Sequence, residues 1–374
     1  MKRFLYIFAT LWVLVMSSCV QENFPHQETE QVREGYMKIE FAANIADPTT
    51  VTTRAVDPDG LDVNNMTLFC FNEFGLFIST ETAKIDKHLI VDGISDSGIY
   101  TAQIPSHTRI IHFLGNHSEG LYDATNFPGQ TESMVIANME GGSGMLVYWS
   151  RFEMDANSQK SMHQQLSELT YKIGNTTYEG VKLIRNQAKI SIADWTTDDF
   201  TVTGFRTVNI PAFGTVAPHH PQHHFHIVEN WESTEDFITL PNNQALMSDI
   251  VDINTKNEDY IFEHENSSDN PVSVIIKGMP QGGNTELYYR VALVGPDGEQ
   301  LLIKRNHSYV LNISGNLTHG SETFQEALEA PFTNNVWISI DSWVKQVEDG
   351  TFKLSVDETG IVLDADRAGD EYAI

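Results

Sequence analysis

Five histidines within eight positions are the most conspicuous group that could do chemistry, in His219-His220-Pro221-Gln222-His223-His224-Phe225-His226. Neutral imidazoles bind zinc, copper and nickel, and on a strand His224 and His226 would share a face. The tract has no Cys, Asp or Glu nearby at ligand spacing, so it is a compositional bias and does not by itself indicate a metal site. We therefore expect a solvated loop without a metal.

Motifs of the common enzyme classes are absent from the sequence. It contains no Gly-x-Ser-x-Gly elbow, His-Glu-x-x-His helix, phosphate-binding loop or dinucleotide fingerprint. Carboxylate pairs such as Asp198-Asp199 are common in so acidic a chain, and their spacing singles out none as an acid and base. The sequence predicts a protein that is not an enzyme and uses no cofactor.

The first 19 residues predict export and lipidation. Lys2 and Arg3 precede an uncharged apolar run that ends at Met16 and is followed by Ser17-Ser18-Cys19. A basic start, a short apolar run and small residues before a cleavage point are typical of a secretory signal peptide, residues 1–18. The cysteine after two small residues resembles a bacterial lipobox, which predicts that Cys19 is lipidated and holds the protein at the outer membrane. The alternative is a soluble secreted protein in which Cys19 has no role.

Arg54 is a candidate protease site. It stands alone among threonines in Thr52-Thr53-Arg54-Ala55, within a stretch that has almost no core-sized residues. A trypsin-like protease would find the Arg54–Ala55 bond accessible there, whereas the alternative is an ordinary loop. Residues 19–54 would then form a tether followed by a first strand that cleavage makes removable.

The charge balance excludes two classes of partner. The 374 residues include 51 Asp and Glu against 23 Lys and Arg, a formal net charge of −28. Nucleic acid and anionic lipid headgroups are bound through basic patches, so neither is an expected partner. Of the two cysteines, Cys70 lies in an apolar run and is expected to be a buried small residue.

Alternating apolar residues predict a β protein. Met37, Ile39, Phe41 and Ile45 share one side of a period-two pattern, as in a half-buried strand. Short apolar runs closed by Gly, Pro or Asn predict further strands at 66–71, 76–78, 99–104, 109–114, 181–192, 202–210, 272–277, 288–294, 307–313 and 336–340. Only 133–139 and 162–169 are expected to be helices. The pattern indicates β-sandwiches at 55–180 and 181–374.

The C-terminal segment has the same alternation as the first strand. Phe352, Leu354 and Val356 alternate with polar residues, and Ile361 and Leu363 do so after a turn. This segment is either one long strand or an arm that replaces the first strand of a neighbouring subunit. In the second case main-chain hydrogen bonds would provide affinity and alternate side chains would set the register.

Taken in order, these features resemble the fimbrillin family, the subunits of protease-assembled pili on Bacteroidetes cells. The resemblance rests on the lipoprotein signal, the strand before Thr52-Thr53-Arg54-Ala55, the Leu-x-Arg-Asn-x-x-Lys-Ile run at 183–190, and Arg305-Asn306-His307-Ser308-Tyr309. It covers essentially the whole chain.

The resemblance implies two transthyretin-like sandwiches, export as a lipoprotein, and cleavage after the arginine by an extracellular trypsin-like protease. It also implies assembly with other fimbrial subunits by strand exchange. On this chain Cys19 would carry the lipid, and the Arg54–Ala55 bond would be cut. The strand released would be the one that contains Met37, Ile39, Phe41 and Ile45. The donor strand would contain Phe352, Leu354, Val356, Ile361 and Leu363. The charged tail at 364–371 departs from a long donor strand and suggests a minor, anchor or tip-proximal subunit.

A second function remains open at this point. A monomeric surface lipoprotein could bind glycan or a host protein through its loops without losing the first strand. Exposed aromatic residues at Tyr148-Trp149 and Trp231 would fit that function, because exposed tryptophans can stack on sugars.

Overall fold

The computed structural model describes residues 31–45, 65–91, 94–116, 127–137, 139–142, 146–173, 176–218, 245–252, 258–266, 271–295, 298–333, 336–341, 346–348 and 353–355. By its internal contacts the chain divides into two units, Met1–Glu34 and Gly35–Ile374, and the strands described below belong to the second. In the described residues strands far outnumber helices, so the predicted all-β class is confirmed.

Ten strands form in the first half of the described chain. They are β1 (Tyr36–Ile45), β2 (Asn65–Phe71), β3 (Phe77–Val91), β4 (Ile94–Pro105), β5 (Ile110–Gly115), β6 (Glu140–Gly142), β7 (Tyr148–Glu153), β8 (Thr170–Ile173), β9 (Thr176–Glu179) and β10 (Val181–Arg185). Seven of them close into one barrel in the order β1-β10-β7-β5-β2-β3-β4. The transthyretin-like topology and the number of sandwiches stay predictions.

Twelve strands lie in the second half of the described chain. They are β11 (Ala188–Ile192), β12 (Phe200–Pro211), β13 (Phe213–Thr215), β14 (Ala245–Met247), β15 (Val251–Asp252), β16 (Glu258–Ile261), β17 (Ser273–Pro280), β18 (Leu287–Ala292), β19 (Ser308–Ile313), β20 (Val336–Asp341), β21 (Gln346–Glu348) and β22 (Lys353–Ser355). Nine of the twelve form two further sheets, one of which has the order β16-β11-β19-β20. The other has the order β14-β12-β17-β18, with β15 paired to β12.

Each half has its own apolar core. In the barrel, Ile39, Phe41 and Phe113 are buried together. In the second half, Ile190 of one sheet and Ile276 of the other belong to the same buried cluster, so the two sheets share a core. Strand β10 belongs to the barrel although it opens the predicted second domain at 181, and the domain boundaries remain predictions.

The structure describes three helices, each six residues long: α1 (Glu132–Ala137), α2 (Met162–Ser167) and α3 (Phe324–Glu329). The first two confirm the predicted helices at 133–139 and 162–169. The prediction that only those two segments are helical was wrong, because α3 is a third helix. It begins with a capping box, in which the side chains of Thr323 and Glu326 each accept a hydrogen bond from the other's backbone N–H. That Thr-x-x-Glu signal is readable from the sequence. Cys70 is buried, as expected, and burial raises the pKa of its thiol to about 12.

Candidate assembly site at the first strand

Strand β1 lies between two strands that are distant in sequence. It pairs antiparallel with β4 over nine residue pairs, from Tyr36 opposite Pro105 to Asn44 opposite Ser97. On its other edge it pairs in parallel with β10, over three residues from Ala43 to Ile45. Taking β1 away would therefore open the closed barrel between β4 and β10.

The inward side chains of β1 fill the centre of the barrel. Ile39, Phe41 and Ala43 are each at most 2% exposed. Met37 is half-buried and packs against the same core. The Phe41 ring stacks on Tyr100 at 5.7 Å between centroids and meets Phe113 edge-on at 4.9 Å. The period-two alternation predicted from the sequence is confirmed for these residues.

Gly180 lies directly against β1. Its φ of +105° is rarely adopted by other residues, and a Cβ there would lie 2.3 Å from the carbonyl oxygen of Ala42. The same Cβ would lie 2.7 Å from the Cβ of Ala42. A glycine at this position therefore allows the backbone before β10 to pass directly against β1.

Helix α2 covers β1 where β10 does not pair with it. The backbone N–H of Glu40 donates to Nδ1 of His163 at 3.3 Å. Met162 and Leu166 of the same helix are buried in the barrel core. A capping box between Ser161 and Gln164 fixes the start of the helix. The first strand is thus held by two strands and one helix.

The predicted donor segment is only partly described. Leu354 lies in β22, which pairs with β21 over three residues and places Leu354 opposite Val347. Phe352, Val356, Ile361 and Leu363 lie outside the described residues.

Three other predicted sites also fall outside the described residues: Cys19, the Arg54–Ala55 bond and the histidine tract at 219–226. Within the described ranges, no three His, Cys, Asp or Glu side chains come close enough to hold a metal ion. No helix in those ranges is both long and apolar enough to cross a membrane.

The two arginine-asparagine motifs meet in space. The backbone N–H of Arg185 donates to Oδ1 of Asn306 at 3.0 Å, and the N–H of Asn306 donates to the carbonyl of Gln187 at 3.0 Å. Arg185, Asn306 and Arg305 are all at most 1% exposed. The motifs therefore join the end of β10 to the segment before β19, a contact that their spacing in the sequence does not reveal.

Arg305 anchors this junction through its guanidinium group. Its Nη2 donates to Glu263 Oε2 at 3.0 Å and to Thr215 Oγ1 at 2.8 Å, and Nη1 donates to the Val216 carbonyl at 2.8 Å. Removing one partner from such a buried pair is strongly destabilising, because the other charge is left without compensation. The motif residues thus act in holding the fold together.

Trp149 belongs to a chain of hydrogen bonds that runs through the buried His112 to Glu132. Its indole N–H donates to Nδ1 of His112 at 3.0 Å, so Nε2 of His112 carries the proton and donates to Glu132 at 2.7 Å. Burial lowers the pKa of His112, although the bond to Glu132 opposes that shift. Burial alone would raise the pKa of Glu132, but hydrogen bonds from His112 and Arg151 outweigh it and lower the pKa to about 2.

The suggestion that Tyr148-Trp149 could stack on sugars is therefore wrong. Tyr148 and Trp149 are 0% and 6% exposed, and these neighbours on β7 are buried in two different apolar clusters. Trp231 lies outside the described residues.

Comparison with known proteins gives a sequence relative among fimbrial subunits. No family model matches the chain. It is 23% identical to the major fimbrium tip subunit FimE of Porphyromonas gingivalis over 318 residues, which cover 80% of this chain and 52% of that protein. The chain therefore spans about half the length of the curated relatives it matches.

Two solved structures are also similar over most of the chain. The tip fimbrial protein Mfa3 of Porphyromonas gingivalis, truncated at its C-terminus, has a TM-score of 0.46 at 13% identity and covers 82% of this chain and 100% of that one. A proposed cell adhesion protein of Parabacteroides distasonis has a TM-score of 0.48 at 13% identity, covering 82% and 97%. Through its sequence relative the chain is related to fimbrial subunits, and the predicted resemblance to the fimbrillin family is confirmed.

Proposed function

We propose that the protein is a structural or adhesive fimbrial subunit, or an accessory pilus component. In this proposal it is exported as a lipoprotein through Cys19, cut after Arg54 and assembled by strand exchange. The observation that carries the proposal is the position of β1, which closes the barrel between β4 and β10 and lies just before the Arg54–Ala55 bond in the chain.

Cleavage would change how β1 is held. In the intact chain β1 is tethered to the barrel, so its effective concentration is high and a strand from another molecule competes poorly. After a cut at Arg54–Ala55, β1 belongs to a separate fragment and only non-covalent contacts retain it. Burial of Ile39 and Phe41 gives a gross gain of roughly 3–6 kcal/mol. Ordering each strand residue costs about 1–2 kcal/mol, so a freed strand is weakly retained.

Among the described residues, the pairing of the C-terminal segment is short, which makes the segment a suitable donor. Strand β22 has three residue pairs with β21, in a two-stranded sheet separate from the larger sheets. An isolated hairpin of this kind is marginally stable in water. A donor strand in place of β1 could instead form up to the nine pairs that β1 makes with β4. The exchange therefore replaces a short pairing with a longer one.

The place in the pilus is part of the proposal. The matched Porphyromonas protein is described as a tip subunit. The donor segment here is followed by the charged stretch at 364–371, which shortens its apolar alternation. Both facts favour a position at or near the tip over one in the stalk. The expected partners are other fimbrial subunits, a trypsin-like protease and, through the lipid, the outer membrane.

The test uses trypsin and three variants of the purified protein. We expect wild type to be cut at Arg54 and to form multimers that resist unboiled SDS gels, alone or with other fimbrial subunits. Arg54→Ala should stay monomeric. Deletion of residues 351–374 should be cut normally but fail to add to the next subunit. The matched control is Arg33→Ala. A cut at Arg33 leaves β1 attached to the barrel, so removal of that cleavage site should not change assembly.

One result would reject this function. If Arg54 is cut cleanly, β1 is released, and no multimer forms with any candidate subunit, the polymerising role is wrong. That outcome would favour the alternative, a monomeric surface lipoprotein that binds glycan or a host protein.

A further inference from the structure

A cavity of about 540 Å³ lies on the face of the β14-β12-β17-β18 sheet that carries α3. Its floor includes the backbone of β12 at Gly204 and the buried Ile275 of β17. Ile250, which is 63% exposed, lines one side. The volume is within the range of small-ligand sites, about 300–1,000 Å³. The cavity is far from β1 in the sequence, and it lies on the opposite face of this sheet from Ile276 and the core that the two sheets share.

Two aromatic residues contribute to the cavity wall. Tyr288 of β18 and Phe324 of α3 lie 6.2 Å apart between ring centroids, with their planes at 82°. The guanidinium of Arg206 lies over the Phe324 ring at 5.1 Å. Helix α3 is fixed to the sheet because Ala327 is buried against Val208 and Ile275. The wall is therefore formed before any ligand arrives.

The charged side chains of the cavity cancel in sign. Lys277 and Glu286 form an ion pair at 2.7 Å, and Arg206 and Asp252 add one charge of each sign. Both members of the ion pair are more than a third exposed, so the pair contributes little to stability. The cavity thus presents hydrogen-bond donors and carboxylate acceptors together with apolar and aromatic surface, and has no net charge.

We propose that this cavity binds a neutral oligosaccharide. Hydroxyl groups both donate and accept hydrogen bonds, so sugar hydroxyls fit a site where cationic donors and carboxylates stand side by side. The C–H groups of a sugar ring match the negative face of an aromatic ring and the apolar Ile250.

Other ligand classes fit the cavity less well. An anionic glycan gains no net attraction there and approaches a chain of charge −28. A purely apolar ligand would leave Lys277 and Glu286 desolvated without new partners. A neutral, hydroxyl-rich ligand avoids both costs.

This site goes beyond the proposed pilus assembly and does not depend on it. The residues that line the cavity lie in β12, β15, β17, β18 and α3 or next to them, and none belongs to β1 or to the C-terminal segment. Cavity variants should therefore still be cut by trypsin and still assemble, so failure of one proposal leaves the other standing.

The experiment is calorimetric titration of the purified protein with a panel of neutral oligosaccharides and their sialylated or sulfated counterparts. We expect saturable binding of at least one neutral member, and no tighter binding of its acidic counterpart. Glu286→Gln and Lys277→Gln should each weaken it about 10–100-fold, the loss expected for one hydrogen bond to a charged group. The matched controls, Glu73→Gln and Lys84→Gln, change exposed residues of the barrel and should bind like wild type.

Thermal unfolding of each variant distinguishes a loss of binding from a loss of folding. The proposal is overturned if folded wild type binds no neutral member of the panel, or if it binds only acidic members. It is also overturned if Glu286→Gln and Lys277→Gln bind as well as the controls do.

Discussion

Gly180→Ala should loosen the first strand without changing any residue of that strand. The added Cβ would lie 2.3 Å from the carbonyl oxygen and 2.6 Å from the carbonyl carbon of Ala42, in the middle of β1. Distances under about 3 Å cannot be kept, and the atoms concerned are backbone, which yields less easily than the end of a side chain. Either β1 or the backbone before β10 must move.

The cost has two parts that can be separated. Overpacking of a tight contact costs typically about 1–3 kcal/mol. A non-glycine residue at a φ of +105° costs about 1–3 kcal/mol more. Because only the first part acts on β1 directly, the stability of β1 against local opening should fall by about 1–3 kcal/mol. A change of 1.4 kcal/mol is a factor of ten, so exchange of β1 amides should accelerate about 5–150-fold.

The assay is hydrogen exchange of the intact protein, followed in the peptide that contains Tyr36–Ile45. The matched control is Gly75→Ala, where φ is +67° and nothing lies within 4 Å of the added Cβ. That variant has the backbone strain without the contact, so it should lower overall stability while exchange in β1 changes no more than elsewhere.

The reasoning is refuted if exchange in β1 is the same in Gly180→Ala and Gly75→Ala. It is equally refuted if Gly180→Ala accelerates exchange everywhere to the same extent, because the contact with Ala42 would then not be specific to β1. Under the proposed function, uncut Gly180→Ala should also accept a donor strand more readily than uncut wild type.

Two further predictions concern the barrel and the anchor. The free energy of unfolding should fall in acid. Because the pKa of His112 is lowered, its contribution to stability is complete above about pH 6.5 and is lost as the pH falls below that value. The contribution of Glu132 is lost as the pH falls from 4.5 to about 2. The Glu132 shift corresponds to roughly 3 kcal/mol, so Glu132→Gln should be less stable at pH 7 and less sensitive to pH below 5 in urea unfolding; an unchanged acid profile would contradict this. Cys19→Ala should not incorporate palmitate and should not fractionate with the outer membrane, and a variant that still does both would show the lipobox interpretation to be wrong.

Local patterns in the sequence were sufficient to predict which side of the first strand is buried. The alternation of Ile39 and Phe41 with Lys38 and Glu40 predicted the inward face of β1, and the structure buries that face. This works because strand side chains point alternately to opposite faces, so period two records burial directly. The capping box at Ser161 likewise marks the start of α2. The same signal at Thr323 marks α3, which the apolar periodicity did not reveal.

The tertiary structure decided which strands and side chains meet. Residue 43 of β1 pairs with Val181, and nothing in either segment specifies that partner, because pairing depends on packing across the whole barrel. The burial of Trp149 on His112 and the contact between the motifs at Arg185 and Asn306 have the same origin.

Gly180 shows most clearly what the sequence alone does not reveal. In the sequence it is one turn-forming glycine among 25. Only the folded chain brings it against the carbonyl of Ala42, 138 residues earlier (180 − 42), and makes it the point where an added methyl group would press on the first strand. A glycine pattern records local backbone freedom, whereas close approach is a property of two segments, and the fold alone determines which segments those are.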